Sequence, residues 1–187
     1  YYLEDEGIWR LGKQFLPFGR QSLYREAALA ARGDATLFFE GLPFQVALVD
    51  AGKGRQSGVI GRVGEAFGVS AAFGRHFGIH GTAFALTEEL ERGRGRGSGY
   101  QQMLGADYAQ RIGSGTAAFE YMSVSQGEDS GSPNRQRWDL SYRANLGKDI
   151  SFVVGVTWLQ EEEATLLRFR GSIPAGKNLM LEPYVRS

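Results

Sequence analysis

Charged side chains alternate with apolar ones in two stretches of the sequence, RWDLSYRA and LLRFR. Arg137, Asp139 and Arg143 have one parity in the first stretch, and Arg168 and Arg170 share a parity in the second. Because side chains of one parity lie on one face of a β-strand, each stretch predicts a strand with a charged face and an apolar face. Arginines that face a water-filled path attract anions through their N–H donors. Arginines that alternate with aspartates also form ion-pair ladders that fill a narrow interior, so both interpretations stay open here.

The residue types needed for covalent or metal chemistry are scarce. The chain has no cysteine and only two histidines, His76 and His80. In an extended strand these two would lie about 13 Å apart, which is too far for one metal ion. Ser70 and Ser114 would need a histidine or an aspartate within hydrogen-bond reach to act as nucleophiles, and nothing in the sequence singles them out. We therefore predict no enzymatic activity, no metal site and no cofactor.

The most conspicuous run of charge is RGRGRG, which contains Arg92, Arg94 and Arg96. Alternating arginine and glycine bind nucleic acids or anionic sugars electrostatically. The whole chain is balanced, with 21 Lys and Arg against 21 Asp and Glu, so bulk charge does not indicate a nucleic-acid partner. On a long surface loop the run would meet anionic phosphates or the acidic surface of a partner. A flexible solvated loop is the alternative. The acidic stretches EELE and QEEE could bind calcium at a loop tip through clustered carboxylates, but a solvated acidic loop is the favoured interpretation.

The elements that position these residues are strands. Period-2 alternation recurs from end to end, and helical periodicity is nearly absent. RWDLSYRA and ISFVVGVTWL flank the polar turn NLGKD and predict a hairpin. The run from Val59 to Phe73 predicts one long strand, long enough for a tilted transmembrane strand. With that strand in place, short turns and long polar loops alternate along the chain, which is typical of outer-membrane barrels.

These patterns predict an all-β fold, an antiparallel up-and-down transmembrane β-barrel. We count eleven strands, with residues 1–3 as the tail of another, so we expect about twelve strands in a single domain, 1–187, or a fragment of a larger barrel. The alternative is a secreted β-sandwich or a soluble barrel whose apolar parity faces a core. Aromatic residues at the ends of apolar stripes favour the membrane barrel. They are Trp9, Tyr108, Tyr121, Trp138 and Trp158.

If the apolar parity faces lipid, the opposite parity faces a lumen. The predicted pore-lining residues are Arg10, Arg62, Asp107, Glu120, Arg137, Asp139, Arg143, Arg168 and Arg170. Gln14 and Glu40 have the same parity. The excess of arginine over carboxylate predicts a weak preference for anions, unless the side chains and inward loops fill the lumen.

The stretch RLGKQFLPFGRQ resembles the G-[KQ]-x-x-x-P-F-G segment of phosphate-selective porins and of related siderophore-uptake and putative porins of Gram-negative outer membranes. Gly12, Lys13, Gln14 and the tripeptide at 17–19 match that segment. In those porins a strand ends at Pro-Phe-Gly and the chain enters an extracellular or constricting loop. The resemblance therefore implies that Pro17, Phe18 and Gly19 begin a constriction loop.

The likeness is limited to residues 7–52, and the rest of the chain departs from those porins. They often have about sixteen strands and usually end in an aromatic residue, whereas this chain ends in VRS. It also opens with YYLEDEG, without the pattern of a signal peptide. We expect a mature form, a piece of a longer protein or a smaller relative.

The predicted function is passive transport across the bacterial outer membrane. We expect a porin-like channel for small polar or anionic solutes. Its partners would be outer-membrane lipid, lipopolysaccharide, and further copies of the chain in a homo-oligomer. The alternative is a plugged structural barrel that anchors a partner protein at the outer membrane. We expect no nucleic-acid partner in either case.

Overall fold

The computed structural model describes residues 2–5, 9–24, 27–36, 41–50, 57–75, 77, 100–126, 134–146, 150–160, 163–176, 179–181 and 184–186. They form thirteen strands: β1 (Tyr2–Asp5), β2 (Trp9–Phe15), β3 (Ala27–Thr36), β4 (Pro43–Asp50), β5 (Ser57–Gly64), β6 (Phe67–Arg75), β7 (Tyr100–Ile112), β8 (Gly115–Gln126), β9 (Arg135–Leu146), β10 (Ile150–Leu159), β11 (Ala164–Gly176), β12 (Leu179–Leu181) and β13 (Tyr184–Arg186).

All of the strands belong to one antiparallel sheet. From β1 to β12 each strand pairs with the next along the chain, and β13 also pairs with β11. The ten longer strands, β2 to β11, form a continuous up-and-down sheet, so the predicted all-β, up-and-down arrangement is confirmed. Within the described residues no pairing joins β1 to β12 or β13. Closure into a barrel and the count of about twelve strands stay predictions.

The run from Val59 to Phe73 is two strands, so its prediction as one strand was wrong. β5 ends at Gly64, β6 begins at Phe67, and Gly64 pairs with Gly68. Gly64 has a φ of 111°, a conformation that glycine adopts without the steric cost of a Cβ atom. The turn therefore forms where the sequence has little polar turn character, and Val59 pairs with Phe73 across the hairpin.

The connections differ between the two edges of the sheet. The longest ones, 16–26, 76–99 and 127–134, join strand ends at one edge, and the shortest ones, 65–66 and 113–114, lie at the other. We call these two rims, at which the strands end, the long-loop edge and the short-turn edge. The alternation in length is not strict, since the connection 37–42 at the short-turn edge is as long as 51–56 at the opposite edge.

The two faces of the sheet have opposite polarity. One face, which we call the outer face, exposes many large apolar side chains, among them Leu104, Leu140 and Phe169. The inner face buries the side chains of Asp107, Glu120, Arg137 and others together with an apolar cluster at the long-loop edge. A water-soluble sheet that shields one face buries its apolar side chains and exposes its polar ones. In this sheet, by contrast, the large apolar side chains are exposed over most of the outer face, and charged side chains are buried on the inner face.

None of the helical structure in the described residues is long and apolar enough to cross a membrane.

Candidate functional site

The connection between β2 and β3 folds onto the inner face of the sheet. We call residues 16–24 of this connection the inserted segment. Its apolar side chains Leu16, Phe18, Leu23 and Tyr24 are all buried, and the ring of Phe18 meets that of Tyr24 edge-on with the centroids 5.5 Å apart. β2 ends just before Pro17, because proline lacks the N–H that would continue the ladder. The tripeptide predicted as the start of a constriction loop lies against the inner face, since Pro17 and Phe18 are buried and Gly19 donates a hydrogen bond to Ser70.

Backbone hydrogen bonds fix the inserted segment to strands on the far side of the sheet. The N–H of Gly19 donates to Oγ of Ser70 over 2.9 Å, and the N–H of Ser22 donates to Oε2 of Glu120, also over 2.9 Å. One guanidinium nitrogen of Arg20 donates to the carbonyls of Glu65 and Ala66 over 2.7 and 2.8 Å. The segment thus spans the inner face from β2 to the β5–β6 turn and to β8.

Two glycines make room for the inserted segment. A Cβ atom on Gly105 would lie 2.8 Å from the ring of Phe18, so a side chain there would displace that ring. Gly19 has a φ of 52°, and a Cβ atom on it would collide with the carboxylate of Glu120. Glycine at both positions lets the backbone and the aromatic ring approach the sheet closely.

Three carboxylates form a row across the inner face. Asp107 on β7 is directly opposite Glu120 on β8, and Glu120 is directly opposite Asp139 on β9. Like charges opposite one another on neighbouring strands repel and destabilise the sheet. All three residues are buried, so the row needs compensating cations or N–H donors nearby.

Two arginines compensate Asp107. Arg62 donates to both carboxylate oxygens, from Nε to Oδ2 over 3.0 Å and from a terminal nitrogen to Oδ1 over 2.6 Å. This two-point contact is the geometry that favours arginine over lysine. Nε of Arg20 lies 2.9 Å from the same Oδ1, without the alignment of a hydrogen bond. Asp107 therefore joins the β5 arginine to the inserted segment.

The other two members of the row have different partners. Asp139 accepts two hydrogen bonds at Oδ1, one from Arg168 over 2.5 Å and one from the hydroxyl of Thr157 over 2.6 Å. Glu120 accepts the N–H of Ser22, and its other oxygen has no hydrogen-bond partner among the described residues. The end members of the row are thus neutralised by arginines, while the middle member receives a backbone donor.

The remaining predicted pore-lining residues lie at several depths of the inner face. Arg137 is fully buried, with Met122 and Leu159 opposite it on the neighbouring strands. Arg143 and Arg170 have the same parity as the buried inner residues of their strands and are exposed. Arg10, at one side of the sheet, is 3.9 Å from Asp34.

A cavity of ≈ 290 Å³ lies between the inserted segment and the strands β7 to β11. Arg143, Arg168 and Arg20 line it together with the hydroxyls of Ser22, Thr116 and Ser141 and the small apolar side chains of Ala109, Ala118 and Val153. No carboxylate is among these described lining residues. The described lining of this cavity is therefore cationic.

An apolar band covers the outer face and has a defined edge. On β6, β8, β9 and β10 the last large apolar side chain before the long-loop edge is Phe73, Tyr121, Trp138 and Trp158, respectively, and on β7 Leu104 is the last one before the polar Gln102. The next outward residue in each strand or just beyond it is polar: Arg75, Gln102, Ser123, Gln136 and Gln160. On β7, Tyr100 lies beyond Gln102, where its ring stacks on Phe73 at 5.5 Å and the guanidinium of Arg75 lies 4.0 Å from its centre.

The edge of this apolar band runs obliquely to the rows of paired residues. Phe73 pairs with Gln102, so the border residue of β7, Leu104, lies two residues further from the long-loop edge. Leu104 in turn pairs with Ser123, so the border residue of β8, Tyr121, lies another two residues further from that edge. Tyr121, Trp138 and Trp158 are paired directly. From β6 to β10 the border therefore shifts by four residues in total, about 13 Å along the strands, while it crosses four strand spacings, about 19 Å. The ratio of these two lengths corresponds to a strand tilt of roughly 35° from the normal of the band.

Of the remaining candidate residues, Ser70 has a structural role and the others named below lie outside the described residues. Ser70 accepts the N–H of Gly19 and so supports the inserted segment. His76, His80, Glu40 and the arginines of RGRGRG lie outside the described residues. No group of three or more His, Cys, Asp or Glu side chains within the described part of the chain is placed to hold a metal ion.

Sequence reasoning missed Arg20, Ser22 and Thr157 at this site. Arg20 and Ser22 follow the Pro-Phe-Gly tripeptide, outside any strand, where alternation gives no information about facing. The only signal was their place at the end of the stretch RLGKQFLPFGRQ, which contains Arg20 and is followed directly by Ser22. The chain matches no protein-family model, no curated protein and no solved structure.

Proposed function

We propose that this chain forms an outer-membrane β-barrel channel through which small polar or anionic solutes diffuse passively. The observation that supports this most directly is the inverted polarity of the sheet. Side chains such as Leu140, at 54% exposure, point away from the protein, while Asp107, Glu120 and Arg137 are buried on the inner face. Strands of a membrane barrel alternate apolar outward and polar inward in this way.

The geometry of the outer face supports the same proposal. Transmembrane strands tilt by about 35–45° and carry an apolar band about 25 Å tall with aromatic residues at its borders. The oblique edge of the apolar band corresponds to a tilt of roughly 35°, and its border includes Tyr121, Trp138 and Trp158. On β10 the outward residues from Ile150 to Trp158 span roughly 26 Å along the strand, which at a tilt of roughly 35° corresponds to about 22 Å along the bilayer normal. A bilayer therefore provides a matching environment for this face.

In the proposed channel the inserted segment narrows the path. Its buried residues cover the inner face near the long-loop edge, and solutes would pass beside it, along the cavity lined by Arg20, Arg143 and Arg168. Guanidinium groups replace part of the hydration of an anion and repel cations. We expect the selectivity to arise at this position.

Single-channel recording in a planar bilayer tests the proposal. The purified chain, with insertion verified, should give steady conductance steps, and a salt gradient should give a reversal potential of the sign expected for anion preference. Arg143→Gln should reduce that preference, because Arg143 is exposed on the inner side, whereas Arg135→Gln on the same strand serves as a control away from the cavity. A verified insertion without conductance would contradict the channel.

A plugged structural barrel that holds a partner at the outer membrane is the second candidate. The observation in its favour is the filling of the inner face, where Leu16, Phe18, Leu23 and Tyr24 are each at most 1% exposed. Insertion without conductance, together with retained sheet structure, would favour this function. The partner would then bind at one of the two edges, because the outer face is apolar over most of its height.

A further inference from the structure

The cavity at the inserted segment combines cationic, hydroxyl and small apolar groups. Its volume of ≈ 290 Å³ is near the lower end of the range found for ligand pockets. Arg143 and Arg168 approach it from β9 and β11, and Arg20 and Ser22 approach from the inserted segment. A ligand there would contact both the wall of the sheet and the segment that covers it.

The charges around the cavity leave one cation unbalanced. The three carboxylates of the row face three arginines, since Arg20 and Arg62 both meet Asp107 and Arg168 donates to Asp139 over 2.5 Å. The side chain of Arg143 has no hydrogen bond or ion pair with any described residue, and it lines the same cavity. A single negative charge placed in the cavity would therefore complete the local balance.

A second observation indicates an unused donor at the same place. The side chain of Arg168 is only 9% exposed, and its Nε is buried without a hydrogen-bond partner among the described residues. A buried guanidinium N–H that lacks an acceptor costs free energy, and a carboxylate can accept from two such groups at once. The arginine is thus held by Asp139 at one nitrogen and leaves another donor available.

The rest of the lining indicates the kind of anion. Ala109, Ala118 and Val153 give the cavity an apolar wall, and the hydroxyls of Thr116 and Ser141 lie beside it. Inorganic phosphate has no apolar part that would use this wall, and it has more than one negative charge near neutral pH. A short aliphatic carboxylate fits both the wall and the single unbalanced charge.

We propose that this cavity is a binding site for small organic monocarboxylates. Arg143 and Arg168 hold the carboxylate, and Ala109, Ala118 and Val153 contact its short tail. The site names the solute class of the channel proposed above and rests on that proposal for its role in transport. Binding itself depends only on the folded chain.

Calorimetric titration of the folded full chain in detergent micelles tests the site, with butyrate, the neutral butyramide and inorganic phosphate as probes. Butyrate should bind saturably, butyramide should not bind, and phosphate should bind at least roughly tenfold more weakly than butyrate. Arg143→Gln should weaken butyrate binding by roughly tenfold or more, and Arg135→Gln should leave it unchanged. Ala118→Leu, which fills the cavity without changing charge, should abolish binding.

Each contrary result has a distinct meaning. Absence of butyrate binding to a chain that conducts in bilayers would overturn the site and leave the channel standing. Butyrate binding without conductance would leave the site and remove the channel. Equal affinity for butyrate and butyramide, or tighter binding of phosphate, would overturn the assignment to monocarboxylates.

Discussion

Arg20, in the inserted segment, and Asp107, in the middle of β7, meet with Nε and Oδ1 2.9 Å apart. Asp107 is completely buried and is also held by Arg62. Arg20 continues from Asp107 to the carbonyls of Glu65 and Ala66 at the β5–β6 turn. Arg20 thus connects the inserted segment to β7 and to the β5–β6 turn, and so attaches the segment toward the short-turn edge.

Replacing Arg20 should loosen the inserted segment. Arg20→Gln removes the charge facing Asp107 and shortens the reach to the two carbonyls, so the segment should leave the inner face more often. We expect a larger single-channel conductance than in the wild type, measured in planar bilayers. Lys13→Gln, on an exposed outward position of β2, is the control. An unchanged conductance in both variants would show that the segment does not limit the path.

Gly19→Ala should destabilise the fold by more than an equivalent change in an open turn. Both Gly19 (φ 52°) and Gly113 (φ 59°) have left-handed conformations, which cost alanine about 1–2 kcal/mol. A Cβ atom at Gly113 meets no atom within 4 Å, whereas at Gly19 it collides with the carboxylate of Glu120. We expect Gly19→Ala to lose a further ~1–3 kcal/mol in the free energy of unfolding. Urea titration in micelles measures both variants, and equal losses would contradict the contact with Glu120.

Removing Arg168 alone should lower the free energy of unfolding far more than removing it together with the charge of Asp139, which it neutralises. Asp139 and the side chain of Arg168 are 1% and 9% exposed, so Arg168→Met leaves a buried carboxylate uncompensated. The expected cost is about 3–5 kcal/mol in the free energy of unfolding.

The double variant Arg168→Met with Asp139→Asn should recover about 1–3 kcal/mol relative to the sum of the two single changes. Asparagine keeps an oxygen that accepts the hydroxyl of Thr157. Denaturant unfolding of all four proteins completes the cycle. Additive losses would mean that the ion pair makes no net contribution.

Placing a charge on the outer face should impair insertion into lipid. Leu140 is 54% exposed within the apolar band, and Leu42 is 43% exposed in the connection 37–42 outside it. In a bilayer Leu140→Arg should cost about 1–3 kcal/mol, because Leu140 lies two residues inside the border at Trp138 and the cost of arginine rises from about 0–1 kcal/mol near the interface to about 2–4 kcal/mol at the midplane, whereas Leu42→Arg should cost about 0–1 kcal/mol. Folding yield and urea midpoints in lipid vesicles distinguish the two, and similar small effects would argue against a lipid-facing band.

Alternation in the sequence predicted the facing of most side chains because the β-strand period is two and the polarity differs sharply between the faces. Trp138 and Leu140 point outward and Arg137 and Asp139 inward, as expected. The same rule missed the turn at Glu65, because Gly64 pairs with Gly68 across an even separation and the parity continues unchanged. A turn that preserves parity is invisible to periodicity.

The contacts of the inserted segment could not be predicted from the sequence. Gly19 and Ser70 are 51 positions apart, and Ser22 and Glu120 are 98 positions apart. Neither pair belongs to neighbouring strands, so strand pairing does not bring them together. These contacts depend on how far the sheet curves, which alternation does not determine.

The row formed by Asp107, Glu120 and Asp139 also has a consequence for folding kinetics. β7, β8 and β9 are adjacent in the chain and are joined by connections far shorter than the separation of 98 positions between Ser22 and Glu120. We therefore expect this pairing to form early and to bring three negative charges together, while Arg20 and Ser22 arrive through a much larger loop closure. Until they arrive, the repulsion among these carboxylates should oppose the pairing of the three strands. Added salt should therefore accelerate folding by screening the carboxylates while they are still in water.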